Sequence, residues 1–137
     1  MYEIQVKSSF SAAHHLRGYA GDCVNLHGHN WEVVVALQAE TLDDQGISMD
    51  FRLIKETLSS ILDEFDHSEL NQHVAFQDKN PTSENMARYL YERLKRELEH
   101  EEVHVSRVEV AENEDSRAAY FELNPYENFT EPSLSKR

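Results

Sequence analysis

Cysteine is nearly absent: Cys23 is the only one in 137 residues, so no internal disulfide can form and a reducing compartment suits the chain. Its thiol is either packing material or chemically used. Long apolar runs are missing too. No window approaches the roughly 20 residues that span a bilayer, and "MYEIQVKSSF" lacks the basic and apolar regions of a signal peptide, so a cytoplasmic location is expected. Basic residues are few, 13 Lys and Arg against 26 Asp and Glu, giving a formal net charge of −13. That balance argues against a broad nucleic-acid or anionic-membrane footprint, while a locally basic pocket for a small anion remains allowed.

What is present suits one ordinary domain with one core. Apolar residues make up 39% and charged residues 28%, with six Tyr and six Phe as packing material. Tyr2, Ile4, Val6, Phe10 and Ala12 alternate with Glu3, Gln5, Lys7, Ser9 and Ser11, the pattern of a half-buried strand. A loop from about His15 to Asn25, with Gly18 and Gly21, leads to a second strand in which Trp31, Val33, Val35 and Leu37 alternate. Such neighbours usually pair antiparallel. From Phe51 the period becomes helical through Ile54, Leu58, Ile61, Leu62 and Phe65, with Asp50 at the N-cap position. Thr82 is placed to cap a second helix carrying Met86, Leu90, Leu94 and Leu98. Two more strands follow, "VSRVEVAE" and "AAYFEL". The order ββααββ predicts an α+β domain over residues 1–123, with a four-stranded antiparallel sheet and two helices on one face. Residues 124–137 lose periodicity and are read as a polar tail.

The stretch "CVNLHGHNW", residues 23 to 31, concentrates the chemistry. Alternate strand residues share a face, so His27 and His29 can grip one ion. If the first strand runs two residues past Ala12, His14 has the parity to join them; His15 is as near, and parity alone favours His14. Three neutral imidazoles suit zinc and leave one position open, the arrangement of a catalytic site. The plain alternative for a His-x-His pair is two satisfied or exposed histidines. Cys23, four residues before His27, is placed to serve as a thiolate base, although an inert buried cysteine and a fourth metal ligand are both open. Asp66 and His67 are either a simple helix cap or, if they meet Cys23, a carboxylate-oriented proton shuttle. Glu112 shares parity with Val108 and Val110 and points inward. An inward acid needs a partner, either an aminopyrimidine ring with two adjacent N–H donors or an internal Arg.

Six stretches in order, "FSAAHHL", "CVNLHGHNW", "MDF", "FDHSELN", "NPTSEN" and "VAENEDSRAAY", resemble the 6-pyruvoyl-tetrahydropterin synthase and 6-carboxy-tetrahydropterin synthase family up to Tyr120. The resemblance implies a tunnelling fold, with three subunits in a barrel, two trimers stacked as a homohexamer, and active sites at subunit interfaces. It implies His14, His27 and His29 as zinc ligands, Cys23, Asp66 and His67 as catalytic residues, and Glu112 as the anchor of the pterin. Asp66 and His67 are expected to reach Cys23 across an interface. The short spacing from Cys23 to His27 with "LHGH" looks more like the bacterial carboxy branch of queuosine precursor synthesis. The implied reaction takes 7,8-dihydroneopterin triphosphate to 6-carboxy-5,6,7,8-tetrahydropterin, releasing acetaldehyde and triphosphate.

Departures from the family pattern fall at His15, where Arg is common, at Asn113, where Thr is common, and in the longer tail. Lys7, His15 and Arg17 are the cations near the site that could meet a triphosphate. The rival readings are the pyruvoyl branch, which shares these residues, an aldolase-like homologue, disfavoured by the presence of Cys23, and a non-catalytic zinc-binding module with a closed Cys23, His14, His27 and His29 site.

Overall fold

The computed structural model describes residues 1–18, 21, 24–98 and 102–123; Cys23 and the predicted tail, 124–137, lie outside the described residues. The first strand, β1 (Tyr2–His14), keeps its alternation to the end, burying Val6, Phe10, Ala12 and His14. It pairs antiparallel with β2 (His27–Ala39) along its whole length, from Tyr2 opposite Ala39 to His14 opposite His27. The long register is specified by the buried face, since a slip of one residue would turn Trp31, Val33, Val35 and Leu37 toward solvent.

The helix α1 (Phe51–Leu62) starts where the Asp50 carboxylate accepts the Arg52 N–H at 2.8 Å. The helix α2 (Ser83–Leu98) starts where Thr82 Oγ1 accepts the Asn85 N–H at 3.1 Å. They bury Ile54, Leu58, Ile61 and Leu62 on one side and Met86, Leu90, Leu94 and Leu98 on the other in one core with the strands' inward residues. Helix α1 lies over β1. Among the described residues, no helix is long and apolar enough to cross a membrane.

The sheet has five strands rather than four: β3 (Ser68–Glu69), β1, β2, β4 (Val103–Ala111) and β5 (Arg117–Tyr120), in that spatial order. The additional strand, β3 (Ser68–Glu69), is two residues long and runs parallel to β1 beside Ala12 and Ala13. So short a strand carries no periodicity, which is why the sequence does not reveal it. In β4 (Val103–Ala111) the register with β2 jumps from Ala36–Arg107 to Leu37–Val105, leaving Ser106 as an extra residue. This bulge puts Val103 and Val105 on the same buried face as Val108 and Val110 despite their opposite numbering. The last strand, β5 (Arg117–Tyr120), is shorter than "AAYFEL" and begins one residue earlier. Helix α2 covers β4 and β5, so both helices lie on one face as expected.

Candidate active site

The antiparallel register decides the first cluster. His14 ends β1 opposite His27, and His29 pairs with Ala12, so all three imidazoles share the buried side of two neighbouring strands. Their ring centroids lie 4.7, 5.1 and 4.8 Å apart, and one nitrogen of each comes within 4.8 Å of the others. Two of the rings are oriented from behind. Nδ1–H of His14 donates to the Pro81 carbonyl at 2.7 Å, and Nδ1–H of His27 donates to the Asn25 carbonyl at 2.7 Å. Each bond selects the tautomer whose Nε2 carries a free lone pair.

Nε2 of His14 and Nε2 of His29 are buried without a hydrogen bond, an arrangement that costs free energy unless a ligand engages them. Burial lowers the proton affinity of both rings below the ordinary histidine value of 6.5, outweighing the nearby Glu112 carboxylate, so both are neutral at neutral pH. The floor is Trp31, fully buried, its indole N–H donating to the Ala12 carbonyl at 3.1 Å and its ring stacked on Phe10. Three converging imidazoles, two of them with a buried nitrogen that makes no hydrogen bond, fit a divalent metal ion.

Glu112, just past the end of β4, stands at the rim. Its Oε1 accepts from the Ser83 hydroxyl at 3.3 Å, and its Oε2 lies 3.6 Å from Nε2 of His29. Among the described residues no Arg pairs with it. One carboxylate edge is therefore half-exposed beside the histidines.

A second cluster lies on the other edge of β1. Asp66 uses one carboxylate oxygen to accept the Ser11 N–H at 2.9 Å and the other to meet Nδ1 of His67 at 3.0 Å. The Ser11 bond, then the His67 contact, holds this carboxyl below its ordinary range. The backbone N–H of His67 closes back on the Ser11 carbonyl at 2.6 Å. To make that turn His67 takes a left-handed φ of 57°, the only non-glycine among the described residues to do so. Helix α1 is capped by Asp63, so the carboxylate of Asp66 is spent on β1 rather than on the helix end. The His67 side chain stands 82% exposed, and no described contact joins it to His14, His27 or His29.

A family model described as 6-pyruvoyl tetrahydropterin synthase matches residues 3–123. The chain belongs to this tetrahydropterin synthase family. A Caenorhabditis elegans 6-pyruvoyl tetrahydropterin synthase structure superposes with a TM-score of 0.78 at 29% identity, covering 89% of this chain and 96% of that one. The α+β architecture is thus the family's tunnelling fold. A 6-carboxy-5,6,7,8-tetrahydropterin synthase of Aquifex aeolicus is 32% identical over 123 residues, 73% of this chain and 76% of the relative. A protein of Archaeoglobus fulgidus, provisionally named for the same activity, is 36% identical over 115 residues, 84% of this chain and 91% of the relative. The family acts on pterins, and its two branches are both represented among these relatives.

Within this family frame, His14 rather than His15 joins the histidine cluster. His15 instead has its backbone held by Asn71. Of the cations considered for a triphosphate, Lys7 pairs with Glu32 at 3.0 Å, and Arg17 donates to the carbonyls of Phe76, Lys79 and Asn71. Both are engaged inside the chain. The sequence reading did not anticipate the carbonyls of Pro81 and Asn25 or the hydroxyl of Ser83. Backbone acceptors leave no residue-type signal, and Pro81 and Ser83 in "NPTSEN" and Asn25 in "CVNLHGHNW" stood only as parts of motifs.

Proposed function

We propose that this chain is a zinc-dependent 6-carboxy-5,6,7,8-tetrahydropterin synthase. It would convert 7,8-dihydroneopterin triphosphate and one water to 6-carboxy-5,6,7,8-tetrahydropterin with release of acetaldehyde and triphosphate, in queuosine precursor synthesis in the cytoplasm. The observation that carries the reading is the set of three converging imidazoles with two buried Nε2 atoms that make no hydrogen bond. A zinc ion held by His14, His27 and His29 would supply Lewis-acid polarisation of the substrate's hydroxylated side chain.

The chain's own groups then divide the remaining work. Glu112 accepts the paired N–H donors of the aminopyrimidine ring and so sets how far the side chain reaches toward the histidines. Cys23 removes the proton from carbon as a thiolate. His67, oriented by Asp66 through Nδ1, carries protons at its free Nε2 between successive steps. Residues 1–123 form the catalytic domain in this reading.

The active assembly is a homohexamer of two trimers with sites at subunit interfaces. Two features support it. Among the described residues β5 ends the sheet on one side, and on the other β1 is flanked by the two-residue β3 alone, so the sheet presents two edges that another copy could meet. The exposed imidazole of His67 has no described contact with the histidine cluster of its own chain.

The test is to incubate zinc-loaded protein and a Cys23→Ala variant with 7,8-dihydroneopterin triphosphate, following products by mass spectrometry and acetaldehyde by a coupled assay. Carboxy-tetrahydropterin with acetaldehyde, lost in the variant, is the expected result. Pyruvoyl-tetrahydropterin without acetaldehyde assigns the chain to the branch named for the nematode structure. Bound zinc with no turnover on any substrate favours the non-catalytic module.

A further inference from the structure

Beyond His14 the first strand has lost its neighbour, because β2 begins at His27 opposite His14. The backbone that follows is nevertheless paired. The side-chain amide of Asn71 accepts the His15 N–H at 3.0 Å and donates to the His15 carbonyl at 3.0 Å. Two residues on, the amide of Asn80 accepts the Arg17 N–H at 2.9 Å and donates to the Arg17 carbonyl at 3.0 Å. Residues 15 and 17 have the spacing of strand positions that bond one neighbour, so two side-chain amides stand in for a strand.

The same loop is tied back to the triad. The guanidinium of Arg17 donates to the carbonyls of Phe76 at 2.8 Å, Lys79 at 3.3 Å and Asn71 at 3.4 Å. The Asn80 carbonyl accepts from the Asn85 side chain at 2.8 Å and from the Thr82 N–H at 2.9 Å, which fastens it to the first turn of α2. The next residue is Pro81, whose carbonyl accepts Nδ1–H of His14. A closed circuit results, running from His14 through residues 15–17 to Asn80, Pro81 and back to the His14 ring. Asn71 is only 5% exposed, and its amide is spent wholly on the residue after His14. A buried carboxamide used this way is expensive to keep unless the position it enforces matters.

We infer that Asn71 and Asn80 are positioning residues of the histidine centre: they lock the backbone on both sides of the His14–Pro81 hydrogen bond and so aim the Nε2 lone pair of His14. The inference rests on the reading of the triad as a metal site. Neither amide is a ligand. Their effect runs through the orientation of a ring, the kind of outer-shell support whose loss costs about 10- to 100-fold in metal affinity.

The test uses the full chain, prepared metal-free, with Asn71→Ala, Asn80→Ala, their near-isosteric Asn→Asp counterparts and Leu98→Ala. The last empties part of the core at the far end of α2 and reports general destabilisation. Zinc and cobalt(II) dissociation constants are measured by chelator competition at a temperature where circular dichroism shows each protein folded. Nitrogen-15 NMR of the imidazoles reads the His14 tautomer in the metal-free state. Expected are dissociation constants raised at least tenfold in the Asn variants but within twofold in Leu98→Ala, together with a mixed His14 tautomer in place of the single Nδ1–H form. The Asp variants keep the inference testable if the Ala variants do not fold. Unchanged metal affinity and an unchanged His14 tautomer in folded Asn variants would overturn it. A wild-type protein that takes up no divalent ion would instead overturn the metal reading, and the tautomer measurement would still decide the role of the two amides.

Discussion

The two edges of β1 carry two kinds of functional chemistry. On the β2 side, His14, His27 and His29 are gathered over a buried tryptophan; burial lowers the proton affinity of His14 and His29, and backbone carbonyls orient His14 and His27. On the β3 side, Asp66 and His67 are anchored just as firmly to Ser11, yet the imidazole projects into solvent. Among the described residues the histidine cluster is gathered within one chain, whereas no described contact joins the Asp66–His67 pair to it. A left-handed residue is costly to hold, and here the cost orients an exposed ring. The contrast teaches that burial separates a cluster gathered by folding from one the fold leaves facing solvent, which in the proposed hexamer a neighbouring chain would meet.

The sharpest way to break the contrast is to remove a member of the buried side. His29→Ala is expected to abolish stoichiometric zinc uptake, measured by elemental analysis, and to reduce turnover to background while the circular dichroism spectrum is retained. Removing the exposed side should look different. His67→Ala is expected to lower kcat by about 10²- to 10⁴-fold with zinc content unchanged, because its ring has no described contact with the histidine cluster. A parallel fall in zinc content would show that the two clusters are not separate.

The floor offers a smaller test. Trp31→Ala removes a fully buried side chain beneath two of the histidines and is expected to cost about 3–5 kcal/mol in urea unfolding. The smallest effect is in pH. His14 and His29 bind protons more weakly in the fold than at the unfolded value of 6.5, so on acidification below that value the unfolded chain takes up more protons. Stability of the metal-free protein should therefore be flat above about pH 6.5 and decline below it. Thermal melts across that range check the sign, and His29→Ala should flatten the decline.

Much of this was legible in the residues themselves. Alternation from Tyr2 to Ala12 set the face of β1, and extending it by two residues distinguished His14 from His15, since a strand keeps its parity to its last pair. The helix starts at Asp50 and Thr82 were readable because a cap is a local signal. The strand β3 was not, since its pairing is fixed by Asp66 and His67 bonding to Ser11, more than fifty residues away. The bulge at Ser106 left no mark because Val103 and Val105 read equally well on either face. Asn71 and Asn80 were invisible for a related reason. An asparagine beside a turn reads as a turn residue, and only the fold brings its amide to the backbone of residues 15 and 17.

The most direct test of the central claim, a site whose metal half is built within one chain and whose proton-relay half is presented to another, is complementation. His29→Ala and His67→Ala proteins, each inactive alone, are unfolded together, refolded as a mixture with zinc, and assayed for carboxy-tetrahydropterin. Recovery of activity, through sites that draw an intact histidine cluster from one chain and an intact Asp66–His67 pair from its neighbour, is the predicted result. A refolded mixture that assembles, binds zinc in the His67→Ala chains and remains inactive would contradict it.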